Sequence, residues 1–126
     1  MKVIETDGIV LKTMDFKEKD CILTFLTAKA GKKAGVLHGG KSFRKGNAAK
    51  AELFVLNHFE FFEKPNMDMV GIRKCELLES FPLVRKNYSK FLYANYFSEL
   101  LLQCEIPAIE SHEYFDLLKS KMFLLS

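Results

Sequence analysis

From residue 21 to residue 51 the sequence contains no aspartate and no glutamate. The same 31 residues hold seven bases, Lys29, Lys32, Lys33, Lys41, Arg44, Lys45 and Lys50, although the 126-residue chain has 19 bases against 16 acids and a formal charge of only +3. Basic charge is therefore positioned rather than abundant, and an acid-free basic tract is the footprint of a polyanionic ligand. Long apolar runs are also lacking. None approaches the roughly 18 residues a membrane-spanning helix requires, so no membrane role is expected. Glu5 and Asp7 interrupt the apolar stretch that a secretory signal would need, which points to a cytoplasmic protein. Cysteine is sparse: Cys21, Cys75 and Cys104 form no CxxC pair and sit in apolar patterns, as buried reduced thiols do, rather than in a disulfide or zinc framework.

Catalytic groupings are missing too. His38, His58 and His112 fall on separate elements, and none lies near a Ser or Cys nucleophile with an orienting acid. Asp15, Glu18 and Asp20 could loosely hold a divalent ion, but a polar loop between strands is the preferred explanation. The expectation is a non-enzymatic protein with no cofactor and no metal.

What is present changes period near the middle of the chain. Residues 1–80 read as five strands, Gly8–Thr13, Cys21–Thr27, Lys33–His38, Leu53–Phe62 and Met69–Leu78, separated by polar or turn-forming segments. The link Ala28-Lys29-Ala30-Gly31 has glycine where a tight hairpin needs positive φ. A long connection, Gly39–Lys50, follows the third strand, and its end, Asn47-Ala48-Ala49-Lys50, can form a helical turn. Five strands with that long third connection outline a small barrel of the oligonucleotide-binding (OB) fold. On the fourth strand, Leu53, Val55, Phe59 and Phe61 share one face, while Phe54, Leu56, His58, Glu60 and Phe62 share the other. One set is expected to fill the barrel and the other to pack under the helices that follow.

Residues 81–126 carry helical periodicity. Asn87 or Ser89 can cap a helix to about Cys104, with an apolar stripe of Tyr88, Phe91, Leu92, Tyr96, Phe97, Leu100 and Leu101. Pro107 ends it. Ser111 can cap a second helix, apolar at Tyr114, Phe115, Leu118, Met122 and Leu125. Two helices only partly cover each other's apolar faces, so this segment is expected to belong to a larger helical domain.

The basic tract has further features of a nucleic-acid surface. Five glycines (Gly31, Gly35, Gly39, Gly40, Gly46) let backbone approach a ligand, and Phe43 beside Arg44 offers a stacking ring. The eight residues expected to contact DNA are Lys29, Lys32, Lys33, Lys41, Phe43, Arg44, Lys45 and Lys50. Within the tract, Gly35-Val36-Leu37-His38-Gly39-Gly40-Lys41-Ser42 spells a phosphate-binding G-x-x-x-x-G-K-[ST] loop. That chemistry needs a buried parallel strand feeding the loop and a helix opening at the Lys-Ser, whereas Lys32-Lys33 precede it and Gly46 lies where the helix interior should be. A nucleotide-binding enzyme and an adaptor docking an acidic partner tail remain the rival classes.

The order of short motifs resembles a known family. Gly8-Ile9-Val10-Leu11, then Asp20-Cys21-Ile22-Leu23-Thr24-Phe25-Leu26-Thr27, Gly31-Lys32, the Gly39-Gly40-Lys41-Ser42 loop and Leu53-Phe54 are similar to the N-terminal OB domain of RecO, the bacterial recombination mediator. Cys75-Glu76-Leu77-Leu78-Glu79-Ser80-Phe81-Pro82 fits that family's last strand, and Tyr96–Leu100 with Phe115–Leu118 fits the start of its helical domain. The resemblance implies a nucleoid-associated protein of recombinational DNA repair. It would bind single- and double-stranded DNA, anneal complementary strands without ATP, and help load recombinase on strands coated by single-strand-binding protein, acting with RecR. The family ordinarily continues for about as many residues again, with a zinc site in some members, and its loop is usually richer in arginine.

Overall fold

The computed structural model describes residues 2–42 and 47–126. Five strands close a barrel in the order β1-β2-β3-β5-β4, with β1 Lys2–Phe16, β2 Asp20–Thr27, β3 Lys32–Leu37, β4 Leu56–Glu63 and β5 Val70–Glu79. Every pairing is antiparallel except β3 with β5, where Gly35 lies against Val70 and Val36 against Gly71. A four-residue turn of helix, α1 (Asn47–Lys50), sits on the long connection. The chain is thus an OB-type barrel followed by helices.

Alternation fills the barrel. Val10, Leu23, Phe25, Val55, Phe59 and Phe61 are wholly buried in one cluster. Phe25 stacks on Phe59 with centroids 4.0 Å apart and meets Phe61 edge-on at 5.9 Å. Each fully buried ring contributes about 1.5–3 kcal/mol of apolar burial.

Three helices, α2 (Pro82–Lys86), α3 (Tyr88–Gln103) and α4 (Ser111–Leu125), cover one end of the barrel. Ile9, Leu11, Leu26, Phe54 and Leu56 of the barrel form a second cluster with Phe81, Val84, Ala94, Leu101, Phe115, Leu118 and Met122 of the helical segment and its lead-in. The expected split of the fourth strand holds only in part: Val55, Phe59 and Phe61 fill the barrel and Phe54 and Leu56 pack under the helices, but Leu53 joins the helical side, and His58, Glu60 and Phe62 lie outside the helical cluster. Buried hydroxyls fix the docking: Ser98 Oγ donates to the Leu11 carbonyl at 2.7 Å, and Ser111 Oγ accepts from Gly31 N at 2.9 Å while donating to the Thr27 carbonyl.

Several boundaries differ from the sequence reading. The first strand runs well beyond Gly8–Thr13, because β2 and β4 offer backbone partners along the whole of Lys2–Phe16 whatever its side chains. The fourth strand begins at Leu56, not Leu53. Phe54 takes φ +69°, its amide bonded to the Val10 carbonyl, and its buried ring meets Phe91. A buried phenylalanine in the left-handed region persists where surrounding packing over-determines it. Asn87 caps α3 as expected, its side chain accepting from Lys90 N at 3.0 Å. Ser111 is not a cap: a 3₁₀ turn, Ala108–Glu110, precedes α4, and the Ser111 hydroxyl is spent on the barrel.

The apolar stripe assigned to α3 is likewise corrected. Ala94, Ser98 and Leu101 are the buried residues of that helix, whereas Tyr88, Leu92, Tyr96 and Leu100 face solvent, Tyr88 at 76% exposure. Close approach to β1 selects the small side chains Ala94 and Ser98 at the centre of the barrel side, with Phe91 and Leu101 packing at its two ends.

Candidate nucleic-acid interface

The basic residues expected to form one surface divide between the two ends of β3. Lys32 and Lys33 begin the strand, with Lys29 in the turn before it, while His38, Lys41 and Lys50 follow its end. Five steps of about 3.3 Å separate Lys32 from Leu37 by about 17 Å. Phe43, Arg44 and Lys45 lie outside the described residues.

At the first end the cations hold structure. Lys32 Nζ donates to the Leu102 carbonyl at 2.8 Å, satisfying an orphan acceptor of the last turn of α3 at the negative end of its dipole. Burial lowers the pKa of this ammonium, with Glu105 and Cys104 opposing. Lys33 Nζ pairs with Glu63 at 3.4 Å. A groove of about 560 Å³ here mixes Lys2, Lys29 and Lys33 with Glu5 and Glu63.

The other end is a clamp between loops. Gly39 N donates to Asp20 Oδ1 at 2.9 Å, Lys41 N to the Lys19 carbonyl at 3.0 Å, and Lys41 Nζ reaches Asp15 at 3.2 Å. The Gly39 amide in particular holds the Asp20 carboxyl below its ordinary pKa, with His38 adding to the effect. Asp15 and Asp20, weighed above as metal ligands, instead tie the glycine loop to the β1–β2 turn. Among the described residues, no group of three or more His, Cys, Asp or Glu is placed to hold a metal ion.

Two cations that the sequence reading did not single out join this end. A groove of about 360 Å³ is lined by His38, Asn47 and Lys50 from the long connection and by Arg73, Lys74 and Cys75 of β5. Parallel closure of β3 on β5 makes these distant segments neighbours. In the β4–β5 ladder Glu60 opposes Lys74 and Phe61 opposes Ile72, so Arg73 is an extra, bulged residue. Arg73 Nε and Lys74 Nζ stand 3.6 and 3.9 Å from the same Glu60 oxygen, so one carboxylate is shared by two cations. Lys50 Nζ donates to Asn47 Oδ1 at 3.1 Å. Burial pushes the Cys75 thiol up to about 12, so it adds no negative charge to the groove. The acids Glu5 and Asp7 gather instead around His58 on the β1–β4 face, with Asp7 Oδ1 2.8 Å from His58 Nδ1.

The phosphate-loop spelling does not fold as one. Gly35 is mid-strand between antiparallel β2 and parallel β5, Gly40 N and Ser42 N close turns onto Leu37 and Gly39, and the helix that follows has only four residues. Among the described residues, no long helix opens at Lys41-Ser42 to direct its N-terminus at a phosphate.

Residues 1–81 match the family described as "Recombination protein O N terminal". The chain belongs to the RecO family. Among curated relatives, "DNA repair protein RecO" of Syntrophus aciditrophicus (strain SB) is 30% identical over 121 residues, covering 96% of this chain and 47% of that protein. The RecO of Gloeothece citriformis (strain PCC 7424) is 31% identical over 115 residues, covering 89% and 40%. That of Clostridium novyi (strain NT) is 26% identical over 125 residues, covering 98% and 48%. The chain spans less than half the length of each of these RecO relatives. The matched region takes in all five strands, and no helix among the described residues is long and apolar enough to cross a membrane.

Proposed function

We propose that this chain is the DNA-binding portion of a recombinational repair protein, holding single- and double-stranded DNA by its phosphates with little sequence preference. The observation that carries this reading is the convergence of His38, Lys50, Arg73 and Lys74 on one groove at the β3–β5 seam of a RecO-type barrel, next to the Lys41 loop. Cations spaced along a groove neutralise a backbone, and contacts limited to phosphate carry no sequence information. Lys41 adjoins this site, Phe43, Arg44 and Lys45 stay in the proposed DNA-binding set by sequence alone, and Lys29, Lys32 and Lys33 lie at the barrel end that holds the helices and contribute mainly to positioning. Holding two strands by charge while their bases stay free supports annealing without ATP. In the same reading the protein works with RecR and helps load recombinase onto strands coated by single-strand-binding protein, as a non-enzymatic mediator.

The division into a barrel, 1–80, and a helical segment, 81–126, follows the change of period and is part of this proposal. The solvent-facing Tyr88, Leu92, Tyr96 and Leu100 favour a second reading for the helical segment, as a face that packs against further protein. Titration of the chain into fluorescent single-stranded DNA, followed by anisotropy at low and moderate salt, tests the first reading. Binding that weakens steeply with salt is expected. A folded chain that binds neither single strand nor duplex at low salt refutes it, and binding of an acidic peptide that DNA does not displace would favour the adaptor reading.

A further inference from the structure

The outer surface of the barrel carries an apolar row that the helices do not cover. Strand register sets Met14, Ile22, Val36, Gly71 and Phe62 side by side across β1, β2, β3, β5 and β4. Their strand neighbours Cys21, Leu37, Val70 and Phe61 fill the interior, so the row points outward. Met14 is 48% exposed, and the Met67 side chain at the edge of the row is 60% exposed. Among the described residues, the helical cluster reaches Ile9, Leu11, Leu26 and Leu56 and none of this row.

Glycine at position 71 shapes the row. The Phe62 ring lies directly over it, where any Cβ would overlap the ring carbons. The β4–β5 connection then folds alongside, giving a groove of about 340 Å³ between Phe62, Gly71, Val36, Met67 and His38. Its rim is cationic. Lys64 Nζ lies over the Phe62 ring, 5.8 Å from its centroid, on an exposed side chain that an incoming base can displace toward the backbone phosphates, and the groove shares His38 and Ile72 with the neighbouring one that holds Lys50, Arg73 and Lys74. An aromatic face on an apolar floor, with cations along one side, has the two elements that single-stranded nucleic acid requires: a surface for a base and charges for the backbone. A duplex keeps its base faces stacked inside and cannot use the floor. An acidic peptide would use the cations but has no need of a ring seated on a glycine.

We propose that Phe62, seated on Gly71, is a stacking platform for an unpaired nucleobase, with Lys50, Lys64 and Arg73 holding the flanking phosphates of a single strand. The proposal rests on the DNA-binding reading and adds to it a site that discriminates single strand from duplex. The chain has no tryptophan, so Phe62→Trp introduces a unique fluorophore at the platform. The 126-residue variant is titrated with oligothymidine and with a blunt duplex of equal length, reading indole emission and DNA anisotropy on the same samples.

The expected result is strong quenching by oligothymidine that saturates with the anisotropy, and none by duplex. Phe62→Leu, which keeps an apolar side chain over Gly71, is expected to weaken oligothymidine binding about tenfold and duplex binding by less than about twofold, given the usual strength of base–aromatic stacking. Should Phe62→Trp fail to fold, the Phe62→Leu affinities decide alone. Rising anisotropy with unquenched indole and wild-type affinity in Phe62→Leu overturns the platform while leaving the DNA-binding reading intact. Absence of any anisotropy change in a folded protein refutes that reading and the platform with it. Quenching by an acidic peptide that oligothymidine fails to displace assigns the groove to a protein tail and overturns the platform alone.

Discussion

The two ends of β3 are predicted to respond oppositely to charge removal. Lys41, Lys50 and Arg73 gather at the loop end, and replacing all three by alanine spares Lys74 as the partner of the largely buried Glu60 carboxylate. Lys32 and Lys33 lie at the other end, where Lys32 holds the Leu102 carbonyl of the last turn of α3 and Lys33 stands beside Glu63. If about five phosphates are contacted, log K against log salt has a slope of about −3.5 on single strands at roughly 0.7 per contact. A fourfold rise in salt then weakens wild-type binding by about a hundredfold. Losing three contacts flattens the slope to about −1.4, and the same salt rise costs only about sevenfold. The Lys32→Ala, Lys33→Ala double variant should keep the wild-type slope and lower the urea midpoint instead, because a helix-end carbonyl loses its charged donor, at about 1–2 kcal/mol. Anisotropy at four salt concentrations measures each slope, and urea unfolding followed by circular dichroism measures stability. Equal flattening in both variants, or an unchanged slope in the triple one, would refute the assignment of separate roles to the two ends.

Other expectations concern the scaffold and its pH response. Ser98→Ala leaves the buried Leu11 carbonyl without its hydroxyl donor and should destabilise the chain by about 1–3 kcal/mol, read from the urea midpoint. Gly35→Ala sets a Cβ 2.7 Å from the Val70 carbonyl oxygen, which is backbone and cannot step aside, so the β3–β5 closure should lose about 3 kcal/mol. Gly71→Ala meets only the Phe62 ring, which can swing outward, so stability should fall by less than about 1 kcal/mol while single-strand affinity drops. The Asp20 carboxyl titrates below its ordinary 3.8 because the folded state favours its charged form. Its contribution to stability is therefore present above the ordinary carboxylate range and is lost as pH falls through the lowered folded-state value. A Gly39 amide shift whose titration midpoint lies below 3.8 would report this, and Asp20→Asn should abolish the transition.

The alternation that predicts five strands survives folding because barrel interiors demand period two, as Cys21, Leu23 and Phe25 show. What escaped depends on contacts distant in sequence. Phe54 breaks its strand because helix α3 offers Phe91 as a partner, a fact absent from residues 53–62. The Tyr88, Leu92, Tyr96 and Leu100 stripe is apolar but too bulky for the approach that Ala94 and Ser98 allow. Arg73 and Lys74 became site residues only through the parallel closure that brings β5 beside His38. Their signal was nonetheless in the chain. Inward residues on β5 run Val70, Ile72, Cys75, Leu77, and the one step of three among steps of two marks a bulge at the paired bases.

A stacking platform and strand annealing are compatible only if the base is gripped by its face. Stacking on Phe62 uses the π surface and leaves the Watson–Crick edge unoccupied, whereas hydrogen-bonded readout would occupy that edge and block pairing. The floor around Phe62 suits the first mode, since Val36, Gly71, Met67 and Met69 offer no side-chain donor or acceptor of the kind that reads bases. On this proposal stacking at Phe62 takes one base, so most of a bound strand would be held through its phosphates. A complementary strand then pairs freely along most of its length and displaces the last base at the cost of one stacking contact, about 1–3 kcal/mol, which a growing duplex readily exceeds. Annealing by Phe62→Leu should accordingly persist at saturating protein and fail first at limiting protein, where capture of the single strand decides the rate. Loss of annealing at saturation would mean that the ring does more than capture.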